Sequence, residues 1–101
     1  METLNLAVLS GNVGADASVF YVDSVEWCSF PLVTFRMIKN DSGKVKVKEE
    51  HVVSVCRPGT ITKYLTKGKS VIVQGRVAPL GAGHNVVATS ITFPGNRGQD
   101  A

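Results

Sequence analysis

The sequence predicts an all-β fold: a small Greek-key barrel of five strands, with a short helix between the third and the fourth. Three observations predict it. Five runs rich in β-branched and aromatic residues are separated by turn-forming stretches. A short helical piece falls after the third run and before the fourth. The composition, 44% hydrophobic and 19% charged over 101 residues, suits one small domain with a thin core.

Residues 4–13 alternate well enough for the first strand, with Leu4, Leu6 and Val8 on one side and Leu9 on the other, until Gly11-Asn12 and Gly14 break or bend it. Residues 18–22 are a short β-prone run, followed by a turn at Asp23-Ser24. Residues 26–38 make the long second strand. Pro31 within it cannot donate to a ladder, which calls for an edge position or a bulge. Asn40-Asp41-Ser42-Gly43 is the strongest turn signal and joins this strand to the third, residues 44–56, as a hairpin. Arg57-Pro58-Gly59 ends the third strand. A short helix is expected over 60–65 with Gly68 as its C-cap, then a central strand over 70–77. The glycine-rich loop 79–84 leads to the last strand, 85–93, and 94–101 reads as a frayed tail beyond a single domain spanning 1–93. Strand, strand, strand, short helix, strand, strand is the order of the OB-fold. An SH3-like barrel is the alternative, but it usually lacks that helix.

Gly68-Lys69-Ser70 matches the end of a phosphate-binding P-loop. That motif needs a glycine five positions before Gly68 and a helix after the Lys-Ser pair. Position 63 is Lys, and Val71-Ile72-Val73 reads as strand, so no nucleotide site is expected. No charged n-region precedes an apolar run, so neither a signal peptide nor a membrane span is expected, and the chain is placed in the cytoplasm. In that compartment Cys28 and Cys56 are expected to be reduced and buried. His51 and His84 could join them as metal ligands, but no Cys-x2-Cys pair exists, and no metal or other cofactor is expected. No nucleophile-base-acid triad or carboxylate pair is recognisable, which points away from an enzyme.

The charge is unevenly placed. Residues 1–35 carry four acids and no base, whereas all eleven Lys and Arg fall in 36–99 against three acids, within a net charge of +3. A molecule with one basic side suits a polyanion, although a solvated basic face with no partner gives the same count. The basic residues also form a pattern. Lys44, Lys46 and Lys48 alternate with Val45 and Val47, so the lysines share one face of their strand and the valines the other. Val53 and Val55 continue the valine parity, which is expected to point into the barrel. Arg36 and Lys39 approach the same hairpin from the second strand, with Phe35 close to both. A row of ammonium groups there would track a phosphate backbone; alternating lysines also discourage edge-to-edge aggregation. Trp27, at the start of a strand, could stack a base or sit in the core or an interface. The first strand has an exposed apolar edge, and pairing it would hide unpaired amides, so a homo-oligomer is expected.

Three segments carry a resemblance. Residues 4–16 with Gly11-Asn12-Val13-Gly14-Ala15-Asp16, "FPLVT" at 30–34, and "YLTKGKSVIVQGRV" at 64–77 resemble, in order, the first strand and turn, the second strand, and the helix end with the fourth strand of the bacterial single-stranded DNA-binding proteins. "LAVLSG" and "IVQGRV" are similar also to the PriB-like primosomal proteins of the same fold. The resemblance implies non-sequence-specific binding of single-stranded DNA, a dimer or tetramer, nucleoid association, and work beside replication proteins in replication, repair or recombination. A primosome accessory role, or a protein-interaction module with weak or no DNA binding, are its alternatives. Candidate nucleic-acid contacts are Phe35, Arg36, Ile38, Lys39, Lys44, Lys46, Lys48, Arg57, Lys69 and Arg76. The places where that family stacks bases fall near Ile38, Glu50 or His51, Cys56 and Leu80, none aromatic here. The acidic tail with a terminal Phe that recruits its partners has no counterpart in Gly98-Gln99-Asp100-Ala101. Phosphate contacts are therefore expected to dominate binding.

Overall fold

The computed structural model describes residues 4–78 and 85–94. Its strands are β1 (Ala7–Val13), β2 (Ser18–Val22), β3 (Val25–Asn40), β4 (Gly43–Cys56), β5 (Ser70–Val77) and β6 (Asn85–Thr92), with a short 3-10 helix at Gly59–Tyr64 between β4 and β5. The sheet runs β1-β5-β6-β4-β3-β2, and β1 also pairs with β3. That last pairing closes a five-stranded barrel, while β2 stays outside the ring as a sixth strand, antiparallel to β3. β4 and β6 are parallel and the other pairings antiparallel, the OB-fold arrangement.

The core is Val13, Cys28, Phe30, Leu32, Val53, Leu65, Val71, Val73 and Val86. Each strand of the ring contributes alternate residues, as barrel walls require. Leu65 follows the 3-10 helix and is fully buried, so this element plugs one end of the barrel. The helix is as long as the one expected over 60–65 but begins one residue earlier and is wound as a tighter 3-10 helix, leaving Leu65 as its C-cap. Gly68 is not its cap; it lies in the following turn at φ +91°, closed by the Lys69 N–H on the Thr66 carbonyl at 3.0 Å. Cys28 is buried, as expected, and Cys56 half-buried; both are free thiols. Burial raises the Cys28 pKa, the Thr62 hydroxyl lowers it in part, and the Glu26 carboxylate raises it further. The Thr62 hydroxyl has no hydrogen bond of ordinary geometry, so its contact with the thiol is weak.

β1 begins at Ala7 rather than Leu4 because a side chain replaces the backbone there. The Asn5 carboxamide donates to the Val77 carbonyl and accepts from the Val77 N–H, both at 2.9 Å. β1 runs through Gly11-Asn12 instead of breaking. A Cβ at Gly11 would lie 2.2 Å from the Val33 carbonyl oxygen, so this glycine permits the close approach that seals β1 on β3. Asn12, Val13 and Asp16 then hold the segment after the helix. Asn12 Nδ2 donates to Gly68 O and Ser70 Oγ; the Gly68 N–H donates to Val13 O, and the Lys67 N–H to Asp16 Oδ1. The amides that a P-loop would aim at phosphate are thus engaged within the fold.

Pro31 sits at neither edge nor bulge. On β3, β2 pairs only as far as Ser29 and β1 begins at Leu32. The Pro31 carbonyl faces that gap and accepts from the Gly14 N–H at 2.8 Å, so its missing N–H falls where no strand needs a donor.

Candidate nucleic-acid interface

The β3–β4 hairpin pairs from Trp27↔Cys56 to Asn40↔Gly43 without a register shift. Its two-residue loop, Asp41-Ser42, is held by the Ser42 N–H on Asn40 Oδ1 at 2.9 Å, and Gly43 takes φ +118°. A continuous register fixes which side chains share a face. Phe30↔Val53 lies in the core, so even positions of β3 and odd positions of β4 continue the inward side. Beyond Thr34 the ribbon has outrun the barrel. Residues 35–46 are exposed on both sides, and Val45, expected to point into the barrel, projects from the hairpin instead. Val53 keeps the expected parity and is fully buried.

The outward face gathers Phe35↔Lys48, Met37↔Lys46 and Lys39↔Lys44. Lys46 Nζ lies 4.4 Å from the centre of the Phe35 ring, a cation-π contact that holds the ammonium over the aromatic. Lys48 approaches Glu50 at 3.7 Å, a loose exposed pair worth little. Lys39 and Lys44 face each other directly, and among the described residues neither has a carboxylate within ion-pair distance. Like charges in that position destabilise a strand pair, and a bound polyanion would remove the penalty.

The opposite face gathers Arg36↔Val47 and Ile38↔Val45. Arg36 Nε donates to Glu49 Oε2 at 2.7 Å, which neutralises it locally. Thr34 Oγ1 lies 3.0 Å from His51 Nε2 on that side. Five of the ten candidate contacts, Phe35, Lys39, Lys44, Lys46 and Lys48, therefore converge, while Arg36 and Ile38 turn away from them. Arg57 lies at the barrel end of β4. Lys69, whose Nζ is 5.7 Å from the Phe93 ring centre, and Arg76 on β5 lie apart from the hairpin. Met37 joins the basic face without having been singled out; two-residue alternation from Phe35 would have found it. Leu80 and His84 fall outside the described residues, as does the tail after Pro94.

A second feature lies at the other end of the same outward face. Phe20 on β2 is opposite Trp27 on β3, their rings 6.2 Å apart and 18° from parallel. With Val22 and Ser54 they line a cleft of about 280 Å³. Among the described residues no group of His, Cys, Asp and Glu could hold a metal ion.

The family model of the single-strand binding proteins matches residues 4–79. No curated protein matches the sequence. Solved structures share the fold. They include the Plasmodium falciparum SSB in complex with ssDNA, at 20% identity and TM-score 0.78, covering 92% of this chain and 96% of that one. The small single-stranded DNA-binding protein of Streptomyces coelicolor matches at 16% identity and TM-score 0.75, over 95% and 98% of the two chains. A deletion mutant of the single-stranded DNA-binding protein of Thermus aquaticus matches at 22% identity and TM-score 0.73, over 94% of this chain and 52% of that one.

Proposed function

This chain belongs to the single-strand binding protein family, and from that premise we propose that it binds single-stranded DNA, without sequence preference and without catalysis, along the outward face of the β3–β4 hairpin. The observation that carries the reading is the convergence of Lys39, Lys44, Lys46 and Lys48 with Phe35 and Met37 on one side of a ribbon. The lysines follow the phosphates and release counterions, and Phe35 offers a ring to a base. Titration with poly-dT at several salt concentrations tests it. Affinity should fall with log salt at about 0.7 per phosphate contact; binding that ignores salt would remove this face from the reading.

The chain acts as a homo-oligomer. Leu4, Leu6 and Val8 are 86, 54 and 59% exposed along one edge region, with Val77 beside them, more apolar surface than a lone barrel keeps at a strand edge. Light scattering should return a multiple of 10.8 kDa; a monomer at high concentration would refute it. Its place is the cytoplasm and the nucleoid, in replication, repair or recombination beside replication proteins. Among the described residues no helix is long and apolar enough to cross a membrane.

A further inference from the structure

We infer that Phe20 and Trp27 form a stacking platform for the bases of a single-stranded nucleic acid, at the barrel end of the face whose far end carries the lysines. The inference rests on the reading of that face as a nucleic-acid interface and extends it to two residues on β2 and the start of β3.

Trp27 and Phe35 are both at odd positions of one unbroken strand, so they project from the same side. Neither Phe20 nor Trp27 belongs to the buried core, and Phe20 is 38% exposed. Their job is therefore not to fill the barrel. The near-parallel rings and Val22 line the cleft, whose exposed lining is almost wholly apolar, and Ser54 beneath them is buried. Aromatic rings at an apolar cleft offer a base a π-face to stack on, and the lack of an exposed polar partner for its edge suits stacking without sequence preference.

Charge says which occupant fits. The same face carries four lysines toward the hairpin tip, so a ligand reaching the cleft along it is anionic outside the cleft and flat and apolar within it. Arg57, exposed and next in sequence to the Cys56 that pairs with Trp27, adds a cation at the barrel end. It is held in the left-handed region at φ +51°, with its N–H on the Glu26 carbonyl at 2.8 Å. Glu26 is the nearest acid in sequence; as the neighbour of Trp27 it projects to the opposite side, where its carboxylate acts on Cys28. From Trp27 to Met37 the strand covers roughly 30 Å, a span suited to several extended nucleotides.

Trp27 is the only tryptophan, so its emission reports on this platform alone. Labelled oligo-dT is followed by anisotropy while indole emission is recorded in the same titration. Saturation should quench Trp27, and inorganic polyphosphate, which offers charge without bases, should bind without equal quenching. Phe20→Ala and Trp27→Ala should each weaken oligo-dT binding about tenfold at fixed salt and leave the salt slope unchanged. Because Trp27→Ala also removes the fluorophore, and could loosen the β2–β3 pair, Phe20→Ala with Trp27 in place carries the test if the other variant fails to fold. Binding by anisotropy with unaltered emission overturns the platform and spares the basic face. No binding at low salt removes both. Emission that follows protein concentration rather than DNA overturns the platform by assigning the cleft to a contact between two copies of the chain.

Discussion

Gly75→Ala should cost the domain about 3 kcal/mol or more, enough to leave much of it unfolded. A Cβ at this position would lie 2.1 Å from the Val87 carbonyl oxygen, 2.8 Å from the Ala88 Cα and 2.9 Å from the Val87 carbonyl carbon. All three are backbone atoms of β6, so no side chain can rotate away. Relief requires β5 and β6 to separate at the bulge between Gln74 and Gly75. That movement opens the ring and exposes Val71, Val73 and Val86, all in the core. Urea unfolding followed by far-UV circular dichroism checks it, and the midpoint should drop by about 1 M or more. Gly59→Ala is the comparison: it has open space around the new methyl and only the strain of φ +60°, about 1–2 kcal/mol. If Gly75→Ala melts at the same urea concentration as the parent, the close β5–β6 approach is not what selects glycine.

Replacing Lys44, Lys46 and Lys48 together with Ala should produce the largest loss of binding. Three lost phosphate contacts would lower the salt slope by about 2, and affinity for poly-dT at 50 mM salt should fall on the order of a hundredfold. Folding should not suffer. Lys44 opposes Lys39, so its removal relieves a repulsion; Lys46 gives up an exposed cation-π contact with Phe35 and Lys48 the loose pair with Glu50, both small losses that the relief offsets. Unchanged thermal unfolding beside a flattened slope would therefore assign the loss to the interface. A slope identical to the parent would leave the lysines as guards against edge-to-edge association.

Much of this was legible in the residues. Valine-lysine alternation fixed a strand and its two faces, Asn40–Gly43 fixed the hairpin, and strand order fixed the barrel. What escaped depended on a partner that the local sequence does not name. Residues 18–22 read as β-prone, but their status as a sixth strand comes from pairing with 25–29. Asn5 looked like part of a strand, and only the position of Val77 shows its side chain standing in for backbone. Gly11 looked like a breaker because glycine marks both bends and close approaches, and Val33 decides between them. Arg36 joins the lysines by nearness to the hairpin, and Ile38 by the family resemblance, as a place where bases stack. Carrying the parity of Phe30 and Leu32 forward would have set them on the other face.

The closing of the ring by β1 also has a kinetic meaning. β3 and β4 meet through a two-residue loop, and such a hairpin forms in about microseconds. The pairing of β1 with β5 instead joins segments as far apart as Asn5 and Val77, 72 positions along the chain. Loop entropy must be spent before those contacts give anything back, so closure comes late, on a timescale of milliseconds to seconds for such topologies. During that interval β1 and β5 both show bare amides and Val71 and Val73 are uncovered. The tip of the early hairpin already displays its lysines, so half-made chains repel one another at that end.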